Sequence, residues 1–192
     1  MTYLEELISA IQFSGELFPA NKPVNAAGAD GIKQFFETFT TQPEYDPLFQ
    51  PGGVIHSTAL RFIESYPQPI ATNGLVATQA FLEEIQQKVF GAGFWVGLTV
   101  GDVVFNGKPV YDTSQASLKA DVEQGNTKNF HAWLTFGNLQ IMDLSVISML
   151  LDSKTARPAD FKDKRLLSTK PRKTAKLQHK PIVVANDFLN KR

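Results

Sequence analysis

The chain has 192 residues, 19 basic and 19 acidic, and no cysteine. The absence of cysteine excludes disulfides, thiolate metal sites and a cysteine nucleophile. An apolar share of 43% with 15 Phe is ample for a core, and no window approaches the roughly 18 apolar residues of a membrane span.

The neutral total is unevenly distributed. Residues 1–153 hold 7 Lys or Arg against 16 Asp or Glu, whereas residues 154–192 hold 12 against 3. The expected organisation is one domain over 1–153 and a basic C-terminal extension over 154–192, either solvated or lying on the acidic body. The acidic start, with Glu5 and Glu6, lacks the basic opening of a secretory signal, so the cytoplasm is the default location.

In chain order, residues 2–13 have helical period through Leu4, Leu7, Ile8 and Ile11, with Thr2 as N-cap. Asp30 caps a second expected helix over 31–40, and 41–53, with its Pro and Gly, reads as irregular. A short helix over 57–65 stops before Pro67. The longest helix is expected over 74–90, capped by Thr72 or Asn73 and ended by Gly91. Residues 94–105 are β-rich, as one bent strand or two around Gly101, and Asn106-Gly107 signals a turn that Pro109, Val110 and Tyr111 extend into a hairpin. Residues 113–128 are loop-like, with a helical turn at 117–122. A strand pair follows at 130–143, then an apolar helix at 145–151. Within the basic segment, 181–184 reads as a late edge strand. Helices followed by antiparallel strands give an α+β class, a long central helix packed on an antiparallel sheet with extra N-terminal helices.

The strand pair carries the chemistry. Phe130, Ala132, Leu134 and Phe136 alternate with His131, Trp133 and Thr135, and the second strand ends at Asp143. A carboxylate so placed can orient an imidazole and stabilise its charged form. A two-residue turn at Gly137-Asn138 would put His131 and Asp143 on opposite faces. A three-residue loop over 136–138 would set them opposite each other on one face.

A long helix beginning Gly74-Leu75-Val76-Ala77-Thr78-Gln79-Ala80, then His131-Ala132-Trp133, then Asp143-Leu144-Ser145, resembles the transglutaminase-like branch of the papain-like fold over residues 72–146. The resemblance implies a transglutaminase-like core in which a Cys opens the helix and His and Asp follow on adjacent strands of an antiparallel sheet. It therefore requires His131 and Asp143 on one face, and hence the odd-length loop or an equivalent bulge. It places Val76 at the family's cysteine position, His131 and Asp143 as the remainder of a triad, and Trp133 and Asn73 beside the substrate. Val76 has no nucleophilic atom, and Thr78 is rotated by about 200° along a helix from it.

The expectation is a transglutaminase-like domain without turnover that binds a peptide or protein ligand, with no cofactor and no metal. Two alternatives stand beside it: a hydrolase or acyltransferase using another nucleophile or an activated water, and a nucleic-acid-associated protein. Lys164, Arg165, Lys170, Arg172 and Lys173 supply charge for phosphates, without interleaved aromatics for base stacking. The plain reading of His131 and Trp133 is a half-buried strand face, and of Asp143 an N-cap for the helix after it. His56 and His179 lack metal-ligand spacing with His131.

Overall fold

A computed structural model describes residues 1–18, 28–88, 94–126, 129–162, 164–186 and 188–190. Helix α1 (Tyr3–Leu17) begins with a capping box: the Thr2 hydroxyl accepts the Glu5 amide and the Glu5 carboxylate accepts the Thr2 amide. It buries Leu7, Ile8 and Ile11, the stripe its period demands. Helix α2 (Gly28–Thr40) packs Ile32 and Phe36 against α1. A 3-10 segment (Pro43–Phe49) replaces the expected irregular chain, and α3 (Val54–Ser65) precedes α4 (Gly74–Lys88). Gly91, the expected terminator of α4, lies outside the described residues.

Among the described residues the sheet has six antiparallel strands. Central β1 (Val96–Phe105) runs unbroken through Gly101 and pairs with β3 (His131–Phe136) along one edge. On its other edge it pairs with β6 (Leu177–Val184). Asn106 and Gly107, at φ 52° and 79°, turn the chain into the two-residue β2 (Lys108–Pro109). Beyond β3 come β4 (Ile141–Asp143) and β5 (Leu167–Thr169). Helix α5 (Gln115–Glu123) joins β2 to β3, and α6 (Val146–Asp152) and α7 (Pro158–Phe161) join β4 to β5.

The fold is therefore α+β with an antiparallel sheet. The basic segment contributes two of the six strands, so the charge boundary at 153 falls between α6 and strands of the same sheet. The late strand is longer than 181–184 and begins at Leu177.

Both faces of the sheet are covered. Leu98, Val100, Ala132, Leu134 and Phe136 meet Ala77, Phe81, Leu82 and Ile85 of α4 in the main core. The other face carries His131, Trp133 and Thr135. Register adds Thr99, Gly101 and Val103 of β1, His179 of β6, and Ile141 and Asp143 of β4. That face is concave. With β1 and β3 between them, β6 and β4 would lie about 14 Å apart in a flat sheet, yet the His179 and Asp143 side chains are hydrogen-bonded. Helix α1 spans the concavity, and its Tyr3 hydroxyl bonds Thr135 at 2.7 Å.

The β3–β4 loop settles the face question. Leu134 opposes Met142 and Thr135 opposes Ile141, so the three loop residues are Gly137, Asn138 and Leu139, one place later than 136–138. The left-handed position is Leu139 at φ 62°, not Gly137 or Asn138. Gly137 is needed for room: a Cβ there would lie 2.8 Å from the Phe39 ring. The odd loop keeps His131 and Asp143 on one face. Two residues beyond Thr135↔Ile141 the register sets Trp133 opposite Asp143, so His131 reaches its partner diagonally.

Candidate functional site

Asp143 is fully buried and its carboxylate accepts four N–H groups. Oδ2 accepts His131 Nε2 at 2.8 Å and His179 Nε2 at 2.7 Å. Oδ1 accepts the amides of Ser145 at 3.0 Å and Val146 at 2.9 Å, at the start of α6. The residue thus serves the helix and the imidazole at once, combining the capping and the orienting expectations. Burial pushes its pKa up, but the charge of His131 and the hydrogen bonds from both imidazoles hold it well below the usual carboxylate range. Among the described residues no cluster is arranged to hold a metal ion; both Nε2 atoms are directed at the carboxylate.

With Nε2 donating to Asp143, the remaining ring nitrogen of His131 is Nδ1. The ring lines a cleft of about 670 Å³. Ala71 to Val76, at and before the start of α4, form one wall, and Tyr111, Phe130, Ala132, Ser145 and Leu189 complete it. Val76 is 46% exposed there. The helix start, the histidine and, behind it, the carboxylate therefore come together at one opening.

Other expected residues fall differently. Trp133 is fully buried and lines no part of the cleft, a correction to its expected place beside a ligand. Its Nε1 donates to the Tyr3 hydroxyl at 3.0 Å, and its indole packs edge-on to His179 with centroids 4.8 Å apart. The residue points into the concave face, which α1 closes. Asn73 is at the cleft rim, but its side-chain nitrogen donates to the Pro69 carbonyl at 2.9 Å and so fixes the turn before α4.

The basic residues divide between two places. Lys164 and Arg165 line a recess with His56 and Glu64, and Arg165 lies 4.0 Å from Glu64. Lys170, Arg172 and Lys173 line a groove of about 590 Å³ with His179 and Lys180. Lys170 pairs with Asp46 at 2.8 Å and Lys180 with Glu6 at 2.9 Å. These pairs join the basic segment to acidic residues of the N-terminal part, while β5 and β6 build the same segment into the sheet.

Three residues of the site escape sequence reasoning. His179 sits in a basic stretch without helical or alternating apolar pattern around it, and only the β1–β6 register brings it to Asp143. Asp102 is buried in β1. It accepts the amides of Val103, Tyr111 and Thr113, and so holds the Tyr111 loop at the cleft. Tyr111 lies parallel to the His131 ring at 6.2 Å. Burial, with the nearby charges of Asp143 and Asp102, raises its hydroxyl to about 12, so it is neutral at ordinary pH. An acidic residue inside a β-rich run was the available signal for Asp102.

Ser145 Oγ is buried and, among the described residues, has no hydrogen-bond partner. Accordingly no general base is in place on it, and it does not complete a serine triad with His131 and Asp143. Comparison with family models, with curated proteins and with solved structures returns no match for this chain.

Proposed function

We propose that the chain is a transglutaminase-like domain that has lost its nucleophile and acts by binding a peptide or protein ligand at the cleft between the start of α4 and His131. The observation that carries this reading is the pairing of a buried, ionised Asp143 with His131 at an opening whose helix-start position is Val76. An imidazole oriented by a carboxylate is chemically useful next to an acyl or amide group. A valine side chain cannot attack one. The order of helix, His strand and Asp strand supports the family reading, and the unpartnered Ser145 supports binding over turnover.

The test is to restore the missing atom. Val76→Cys is expected to give a thiol that iodoacetamide alkylates at pH 7 at least about 10-fold faster than a free cysteine, because a helix start and an imidazole lower thiol pKa. A thiol slower than the free amino acid would sink the proposed correspondence of Val76 with the family cysteine. In parallel, the parent is expected to hydrolyse neither amide nor ester substrates. Turnover that disappears in His131→Ala would instead support the hydrolase reading.

A further inference from the structure

One end of the cleft is built of hydrogen-bond donors without acceptors. A helix leaves its first amides without intrahelical partners and carries partial positive charge there. At the start of α4, the Ala77 amide is bonded to the Asn73 carbonyl, at 2.9 Å. The side chain that precedes the helix, Asn73, donates its nitrogen to the Pro69 carbonyl and is turned away from the first amides, those of Gly74, Leu75 and Val76.

Ser145 Oγ is a second, independent observation at the same place. It is 1% exposed, has no partner among the described residues, and lies against Gly74, where an added Cβ would be 2.5 Å from it. A buried hydroxyl without a partner is costly, and its position beside open amides is that of a group awaiting an acceptor. The Asp143 carboxylate, two residues before it, is occupied by four donors. Apolar Leu75, Val76, Phe130, Ala132 and Leu189 line the rest of the cleft.

Resting on the reading of this cleft as a binding site, we infer that its ligand is a carboxylate, seated on the amides of Gly74, Leu75 and Val76 with one oxygen on the Ser145 hydroxyl, beside His131. The same chemistry is offered by a small organic acid and by the free C-terminus of a peptide. The cleft volume of about 670 Å³ leaves room for more than the carboxylate itself. Neutral acyl groups have one acceptor oxygen and no charge, and they satisfy this end of the cleft less well.

Amide NMR titration of the ¹⁵N-labelled chain tests it with three probes: acetate, the tripeptide acetyl-Ala-Ala-Gly with a free carboxylate, and the same tripeptide amidated. The tripeptide acid is expected to shift the Gly74, Leu75 and Val76 amides saturably, with the amidated twin at least about 10-fold weaker. Ser145→Ala is expected to weaken the acid by about 10-fold and leave the twin unchanged, with the dispersed spectrum of the variant showing that it is folded. Acetate binding as tightly as the tripeptide acid supports the site with a small acid as its source; weaker acetate supports a peptide C-terminus. Equal binding of acid and amidated twin would overturn the inference and leave the binding-domain reading standing. Unmoved α4 amides with every probe at 10 mM (a concentration on the order of weak-ligand dissociation constants), or an acid affinity untouched by Ser145→Ala, would also overturn it. The thiol test of Val76→Cys is unaffected by either result.

Discussion

Asp143 concentrates the electrostatics of the molecule in one buried group. Its pKa in the folded chain lies below the ordinary carboxylate value of about 3.9. The stabilisation it gives is therefore present above about pH 4 and is lost as pH falls through the acid range. Asp143→Asn removes the charge and turns one donor toward donors. It is expected to cost about 2–4 kcal/mol at pH 7, the range for a buried hydrogen-bonded charge deprived of its role. Urea unfolding from pH 7 to pH 2 should show the deficit shrinking below about pH 4. A deficit that stayed constant would mean that the carboxylate is not the group that titrates. Asp143 and His131 were legible as a pair because the alternation of β3 and the short loop confined them to few geometries. His179 was not, since its partner is 36 residues away and reached only through β1.

At the scale of elements, local signals read well and pairing signals poorly. The Thr2 cap and apolar stripe of α1 and the Asn106-Gly107 turn are properties of a few adjacent residues, and each forms as its sequence indicates. The β3–β4 hairpin shows the limit. Gly137 and Asn138 signal the turn because they tolerate positive φ, but Gly137 is set by its close approach to Phe39 and the left-handed position is Leu139. Trp133 was misplaced for a related reason: alternation names a face, and nothing in β3 says that α1 covers it. Another pairing feature is the bulge between β1 and β6, where Val100 opposes Val183 but Gly101 opposes Pro181. A Cβ on Gly101 would lie 2.0 Å from the Lys180 carbonyl oxygen, a backbone atom with nowhere to go. Gly101→Ala is expected to cost more than about 2 kcal/mol. Gly107→Ala, with open space but φ +79°, should cost about 1 kcal/mol. Chemical denaturation of the two variants compares them directly, and an equal or reversed order would remove the close approach as the explanation.

At the scale of the whole molecule, charge pattern and architecture diverge. The boundary at residue 153 is real in composition, yet β5 and β6 lie beyond it and β6 buries His179, Ile182 and Val183. A chain ended after Lys176 is expected to lose cooperative urea unfolding altogether, because β1 is left with an open edge and α1 loses the strand it packs on. A sharp transition in that truncated chain would show that the first five strands suffice. The same arrangement has a consequence in time. Contacts between α1 and β6, such as Ser14 with Val184 and Glu6 with Lys180, join residues 170 and 174 positions apart. Loop closure over such distances precedes the contacts that reward it, so folding is expected to be slow for a chain of this size. During synthesis, β1 leaves the ribosome some 80 residues before β6, an interval of roughly 4–16 s at ordinary elongation rates. Through that interval the central strand carries an unpaired edge, open to pairing with other strands until residue 184 emerges.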